Sequence, residues 1–297
     1  MSSLKTLREE INRVEVIHEV MGTLEKVAGF ERVRSQNFYN KIKGYEEELA
    51  GYFKGILPVT IETEDPKGKK PFHPLLLCFG TEQGLTGPFA EEFAKYVLAE
   101  ALRIKPVKIV ATGHKLEAAF REVPMAQKVE FLEMPKKHSS ADILTPIANR
   151  VMQGLSNNEF SQVYLVSAGY QTLGGYKFQT SHIFRLKPVL EGDPKHMGDY
   201  VFIEPSLARI LHRYLMLTFA ARLALPWREV RLVEASLRLL ETNRAKENAG
   251  DTAQKLRLVY ARTLRGKVTR SINELFTGKA AFERRKRKEK VFFEFKV

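Results

Sequence analysis

The stretch whose residue types come closest to a ligand-holding loop is Phe79-Gly-Thr-Glu-Gln-Gly-Leu-Thr-Gly-Pro-Phe89. It follows an apolar run, Pro74-Leu-Leu-Leu-Cys-Phe79, and precedes an amphipathic segment. A strand-to-helix turn at that place is where many α/β proteins cradle a phosphate. The glycines, however, stand at 80, 84 and 87, which is not G-x-G-x-x-G, and no Lys-Ser/Thr pair follows as in a P-loop. The spacing favours a tight turn, with glycine supplying positive φ or close packing, and Gly84 and Gly87 as its structural residues. The other chemical side chains are scattered. Histidines at 18, 73, 114, 138, 182, 196 and 212 form neither H-x-x-x-H nor H-E-x-x-H, so no metal site is expected. Cys78 is the only cysteine and sits in the apolar run, as a core residue rather than a nucleophile. Glu46-Glu-Glu48 suits a solvated helix face. There is no nucleophile elbow and no catalytic constellation. The expectation is a chain with no catalytic residues and no cofactor.

The elements around that loop read as one α/β layer. Val59–Thr63, Pro74–Gly80, Val107–Thr112, Lys128–Leu132, Gln162–Ser167, Gln179–Leu186 and Tyr200–Ile203 have the composition of strands. Helical patterns at Pro88–Arg103, Lys115–Arg121 and Ser140–Gly154 alternate with them. Such alternation predicts a mostly parallel, doubly wound, Rossmann-like sheet. The continuous apolar run 74–80 belongs in its centre, covered on both faces.

Two long segments flank this layer. From Ser206 to Thr277 apolar residues recur at three- and four-residue steps: Leu207, Ile210, Leu211, Tyr214, Val230, Val233, Leu237, Leu240, Leu256 and Val259. That is the period of a helix with one buried stripe. Glu204-Pro205-Ser206 is a suitable start and Gly278 a suitable stop, while Pro226 predicts a kink or break near Leu225. Unbroken, roughly 72 residues at ~1.5 Å each would span on the order of 110 Å. A helix so long needs a partner for its stripe. At the other end of the chain Leu4, Leu7, Ile11, Val14, Met21 and Ala28 make a heptad-like seam, with His18 and Glu25 at the intervening positions. Helix-forming composition continues to about Phe53. The fold class expected is therefore α/β, with N- and C-terminal long helices forming an antiparallel coiled coil and a globular domain inserted between them. The boundaries are 1–56 and 205–280 for the coiled-coil shaft, 57–204 for the α/β domain and 281–297 for a basic and aromatic extension.

Charge sharpens this division. The chain has 297 residues and a formal net charge of +13. Residues 1–205 carry 26 Lys+Arg against 26 Asp+Glu, whereas residues 206–297 carry 22 against 9. The C-terminal arm is thus a basic rod on a neutral body, suited to an acidic surface or a polyanion. Arg284-Arg-Lys-Arg-Lys288 concentrates part of the excess. No apolar run approaches the ~18 residues needed to cross a bilayer, and the N-terminus lacks the apolar core of a signal peptide. A cytosolic chain is expected. A non-catalytic nucleic-acid-binding or scaffolding protein that uses the basic helix is the alternative function.

In order along the chain, several motifs fit one family. Leu4-Lys-x-x-Arg8-x-x-Ile11-x-x-Val14, then Met21 and Val27-Ala28, resembles the N-terminal helix of the gamma subunit of F-type ATP synthases. Gln83-Gly-Leu-Thr-Gly87 is similar to that family's G-L-C-G-G turn, and Glu204-Pro205-Ser206 to the E-P-S before its C-terminal helix. Glu234-Ala235, Glu247-Asn-Ala-Gly250, Leu256-x-Leu258-x-Tyr260-x-Arg262 and Thr269-x-x-Ile272-x-Glu274-Leu275-x-x-Gly278 resemble its C-terminal signature. The chain departs from the family at Glu15, His18, Glu19 and Gly22, where basic residues are common, at Gly87-Pro88, and in continuing past Gly278 to Val297. A divergent member is implied, of an unusual lineage or an alternate-type rotary ATPase.

The resemblance implies a central-stalk rotor that couples ion flow, of protons or sodium, through a membrane c-ring to conformational cycling of catalytic beta subunits. It implies alpha and beta subunits, an epsilon subunit and the c-ring as partners, with no direct nucleic-acid partner and no transmembrane segment. It places the chain peripherally on the cytoplasmic face of the cell membrane. Rotor contacts then fall on Arg8, Ile11, Met21, Val27, Glu234, Asn248, Arg262, Thr269, Ile272, Glu274 and Leu275.

Overall fold

The computed structural model of the protein describes residues 4–45, 48, 59–61, 73–121, 129–132, 140–157, 159–184, 186–188 and 207–294. The chain packs as two units. One combines residues up to Leu24 with those from Thr242 onward, and the other runs from Glu25 to Glu241.

The second unit holds the sheet. Strands β2 (Pro74–Phe79), β3 (Lys108–Thr112), β4 (Val129–Leu132), β5 (Gln162–Thr172) and β6 (Gly175–Phe184) lie in the order β4-β3-β2-β5-β6. The first four are parallel, and β6 returns antiparallel to β5 as an edge strand. The apolar run 74–79 is the central strand and every residue of it is buried. β1 (Val59–Ile61) pairs separately with β7 (Leu186–Pro188). Helices α2 (Phe89–Ile104), α3 (His114–Arg121) and α4 (Ser140–Ser156) fill the connections. Phe89, Phe93, Val97 and Ala101 form the buried face of α2. Phe89 meets Tyr176 edge-on and Phe178 at an angle, which seats α2 against the β6 hairpin strand.

Helix α1 is Leu4–Ile42, and α5 is Leu207–Glu294, 88 residues in all. Within the sheet-bearing unit, Phe219, Leu223, Trp227, Val230 and Val233 of α5 join the same core as the sheet. That packing explains why Pro226 does not break the helix, contrary to the sequence expectation. A proline inside a helix costs about 3 kcal/mol, but Leu223 and Trp227 on either side are buried and the helix continues past it. One turn earlier, the Arg222 guanidinium donates to the Ile183 carbonyl at 3.0 Å. The expected stop at Gly278 is likewise passed, since α5 continues to Glu294. Nothing lies within 4 Å of a Cβ at Gly278, so the glycine there is simply a helical residue. The expected strand Tyr200–Ile203 and the start at Glu204–Ser206 lie outside the described residues; α1 ends at Ile42, short of the expected Phe53, where Gly44 takes φ 93 in a turn, and residues 46, 47 and 49–53 lie outside the described ones.

In the sheet-bearing unit α1 and α5 run antiparallel. Tyr39 donates to Glu229 at 3.3 Å, and Gly29 packs by Leu239. In the other unit the same direction holds: Arg257 bonds Glu15 at 2.5 Å, His18 packs on Gly250 and Lys246 on Gly22. Leu7, Ile11, Ala249 and Ala253 are buried there. The polar seam position His18 thus rests against a glycine, which leaves its ring room that a larger residue would take.

The β2 and β3 ends are closed by a backbone-to-backbone contact. Gly80 donates to the Thr112 carbonyl at 3.0 Å. Gly113 has φ +101, and a Cβ there would stand 2.7 Å from the Gly80 carbonyl carbon and 2.9 Å from Thr81 N. We expect Gly113→Ala to destabilise this unit by about 3 kcal/mol, combining left-handed strain with displaced backbone. Urea unfolding followed by the sole tryptophan, Trp227, checks this.

Candidate functional site

The Gly80–Gly87 loop sits at the C-terminal end of β2, next to the point where strand order switches direction, the usual ligand crevice of such sheets. The chain itself fills that place. The Gln83 amide donates to Glu234 Oε1 at 2.7 Å, so a carboxylate from α5 occupies the position an anion would take. Arg231 reaches Glu234 Oε2 at 2.7 Å and Arg238 reaches Oε1 at 3.4 Å. Arg238 also pairs with Glu31 of α1 and donates from Nε to the Gly84 carbonyl at 3.4 Å. Glu234 is 3% exposed. The loop, α1 and α5 are therefore fastened through one buried carboxylate and two guanidiniums. Leu85 (φ 62) and Gly87 (φ 58) carry the left-handed conformations of the turn, and Glu241 lies 3.2 Å from where a Gly87 Cβ would stand. Gly84 contributes its carbonyl instead.

Glu82 flanks this network. Burial lifts its carboxyl above the ordinary carboxylate range and Glu234 adds to the rise, against the opposing pull of Arg231 and His114. Arg231 stands 3.8 Å away and His114 3.6 Å. A folded-state value above the unfolded one, near 4.3, gives stability present at low pH and lost as pH rises through the folded value. We expect the stability of the native chain minus that of Glu82→Gln to fall between pH 4 and 7, measured by urea unfolding at each pH. Cys78, buried in β2, has its thiol pushed up by burial and stays protonated. Among the described residues no group of three His, Cys, Asp or Glu side chains could hold a metal, and no helix is long and apolar enough to cross a membrane.

The remaining residues named from sequence lie along the two helices. Ile11 is buried, Met21 is half-buried, and Arg8 and Val27 face solvent. Asn248 is exposed, and its carbonyl accepts from the Thr252 hydroxyl at 2.7 Å. Arg262, Thr269, Ile272, Glu274 and Leu275 are all exposed, Leu275 to 74%. These five belong to a segment, residues 262–286, in which every residue is exposed. At about 100° per residue, Leu264, Val268, Ile272, Leu275, Phe276 and Phe282 fall within roughly a third of the helix circumference. Arg262, Lys267 and Arg270 lie on the rest, while Arg265 and Lys279 fall inside that third. Thr263, Thr269 and Thr277 turn their hydroxyls back to carbonyls of the preceding turn, at 2.9, 3.0 and 2.8 Å. Among the described residues this stretch of α5 is the longest in which every side chain is exposed.

The buried network was missed in the sequence apart from Glu234. Its signal was present: Arg231, Glu234 and Arg238 stand at three- and four-residue steps beside the apolar stripe Val230, Val233 and Leu237.

Comparison with known proteins agrees with this arrangement. A family described as ATP synthase matches residues 3–282. The ATP synthase gamma chain of Protochlamydia amoebophila is 23% identical over 286 residues, covering 94% of this chain and 98% of its own. A chain in the Euglena gracilis mitochondrial ATP synthase OSCP/F1/c-ring structure superposes with TM-score 0.62 at 14% identity, covering 94% of both chains. A chain of the rotor of that synthase gives 0.59 at 13% identity, with 89% of this chain and 98% of the other covered. With a match across nearly its whole length, a loop locked by its own carboxylate and a long exposed C-terminal helix, the chain belongs to the ATP synthase family, on its gamma-chain branch.

Proposed function

We propose that this chain is the central-stalk rotor of an F-type rotary ATPase, a non-catalytic subunit that turns inside a ring of alternating alpha and beta subunits. The observation that carries the proposal is the segment 262–286 of α5, in which every residue is exposed, the apolar Leu264, Val268, Ile272, Leu275, Phe276 and Phe282 among them. The paired helices, 1–56 with 205–280, act as the shaft. The α/β domain, 57–204, stands toward an epsilon subunit and the membrane c-ring, and residues 281–297 extend the shaft. Turning of the shaft couples ion flow, of protons or sodium, to conformational cycling of the beta subunits. Arg8, Met21, Val27 and Asn248 contact partners along the shaft, as do Arg262, Thr269, Ile272, Glu274 and Leu275 near its end. Ile11 and Glu234 act from inside, by holding the helices together. ATP chemistry belongs to the beta subunits, and the assembly works at the cytoplasmic face of the cell membrane.

The test is native mass spectrometry of the chain co-expressed with alpha and beta subunits from the same genome. The expected result is a 3:3:1 complex whose ATP hydrolysis depends on this chain. A chain that stays alone, or that comes down with nucleic acid, overturns the rotor reading in favour of a basic scaffold.

A further inference from the structure

Helices α1 and α5 are the only described elements that both units share; every strand and the other helices belong to the sheet-bearing one. Twist passing between the units therefore passes through these two helices. A helix carries twist only if it cannot spin about its own axis where it is seated. The apolar seat of α5 on the sheet, through Phe219, Leu223, Val230 and Val233, is non-directional and fixes position more than angle. Hydrogen bonds are directional, and α5 has two sets of them. One is the Glu234 network. The other is centred on Glu229, which the sequence did not single out. Its Oε1 accepts from the Tyr39 hydroxyl, in the last turn of α1, at 3.3 Å. Its Oε2 accepts from the Gln179 amide of the edge strand β6 at 3.4 Å. Lys43, just past α1, adds its attraction. Two turns earlier on the same side of α5, Arg222 holds the Ile183 carbonyl of that same strand.

Glu229 and Glu234 stand five residues apart, about 140° round the helix and ~7.5 Å along it. A grip on one side leaves a helix free to pivot about it. Two grips on different sides oppose turning in both senses. We infer that Glu229 is a positioning residue for rotation: with Glu234 it locks α5 against turning about its own axis within the sheet-bearing unit, and so lets twist pass between shaft and sheet. The inference rests on the rotor reading and names the joint through which that rotor transmits torque. Stability is not what the charge supplies. Burial raises the Glu229 carboxyl above the ordinary carboxylate range, against the pull of Tyr39, Gln179 and Lys43. An ionised carboxylate is thus less favoured there than in water, and its contribution is the direction of its two bonds.

The experiment uses the complete membrane-bound ATPase of the same genome, in inverted vesicles, with the chain native or as Glu229→Ala, Glu229→Gln or Tyr39→Phe. ATP hydrolysis and the membrane potential it builds are measured together, the latter with a potential-sensitive dye that responds whichever cation moves. Glu229→Ala removes both bonds and Tyr39→Phe removes one, while Glu229→Gln keeps an acceptor for Tyr39 without the charge. For a lock, potential built per ATP falls by about two- to fivefold in Glu229→Ala, as loss of a directional bond shifts the balance toward a turned helix. Tyr39→Phe falls less, Glu229→Gln regains most of the native value, and hydrolysis stays at the native level throughout. If hydrolysis and potential fall in proportion, or if Glu229→Ala and Tyr39→Phe both pump like the native chain, the lock is overturned while the rotor reading stands. A Glu229→Gln variant as uncoupled as Glu229→Ala also overturns it, since charge and not direction would then matter. Should Glu229→Ala fail to assemble, Tyr39→Phe alone decides in the same terms. If the native chain does not assemble or supports no hydrolysis, the rotor reading falls and takes the lock with it.

Discussion

Replacing Glu234 by alanine is expected to lower the stability of the sheet-bearing unit by about 3 kcal/mol. The side chain is almost wholly buried and faces two guanidiniums and a backbone amide. Removing one member of a buried ionic group costs about 3–5 kcal/mol, because the charges left behind stay desolvated. The lower end applies, since Arg231 keeps Glu82 and Arg238 keeps Glu31. Glu31 offers an internal control. Its side chain is 38% exposed, so Glu31→Ala is expected to cost only about 1 kcal/mol. Glu234→Gln should fall between the two, keeping an acceptor for the Gln83 amide while losing the charge. Trp227, buried seven residues before Glu234, reports the transition in urea. Equal costs for Glu31 and Glu234 would contradict the network as the fastening of the loop.

The second large effect is on function. Ending the chain after Ala261 removes a segment in which every residue from 262 to 286 is exposed. The unfolding transition of the sheet-bearing unit is expected to change by less than about 0.5 kcal/mol. Assembly with alpha and beta subunits should suffer heavily. Six apolar side chains, from Leu264 to Phe282, lose their cover. Even at about 1 kcal/mol each, less than full burial would give, the loss is on the order of 10⁴ in association. Loss of chain-dependent ATP hydrolysis together with unchanged urea unfolding is the expected pair of results. Full retention of assembly would move the interface elsewhere on the molecule.

Much of the fold could be read from residue patterns because its burial is periodic. The run 74–79 is apolar at every position, and it is the central strand of the five. Leu7, Ile11 and Ala28 of the N-terminal seam are buried as their spacing predicts, while the neighbouring Val16, Val20 and Val27 are exposed. Where periodicity failed, tertiary packing had overridden local preference. Pro226 reads as a break, yet buried neighbours carry the helix through it. The β5–β6 hairpin was half seen, since Gly169, Gly174 and Gly175 dilute the strand signal between Ala168 and Phe178. Gly174, at φ 82, makes the turn. The loop's glycines were legible as a turn, but its grip on Glu234 was not. Spacing puts Arg231, Glu234 and Arg238 on one helix face, but only the fold brings Glu31 and Glu82 to them.

The threonines of the exposed helix bear on friction. An outward hydroxyl would form and break hydrogen bonds with each new neighbour as the helix turned, and each such bond is worth about 1 kcal/mol. With Thr263, Thr269 and Thr277 bonded to their own backbone, the helix shows methyl groups where it would otherwise show directional donors. On the proposed rotor function, the energy profile for turning against a partner would be smoothed accordingly, with shallower wells and fewer points at which the helix would stall.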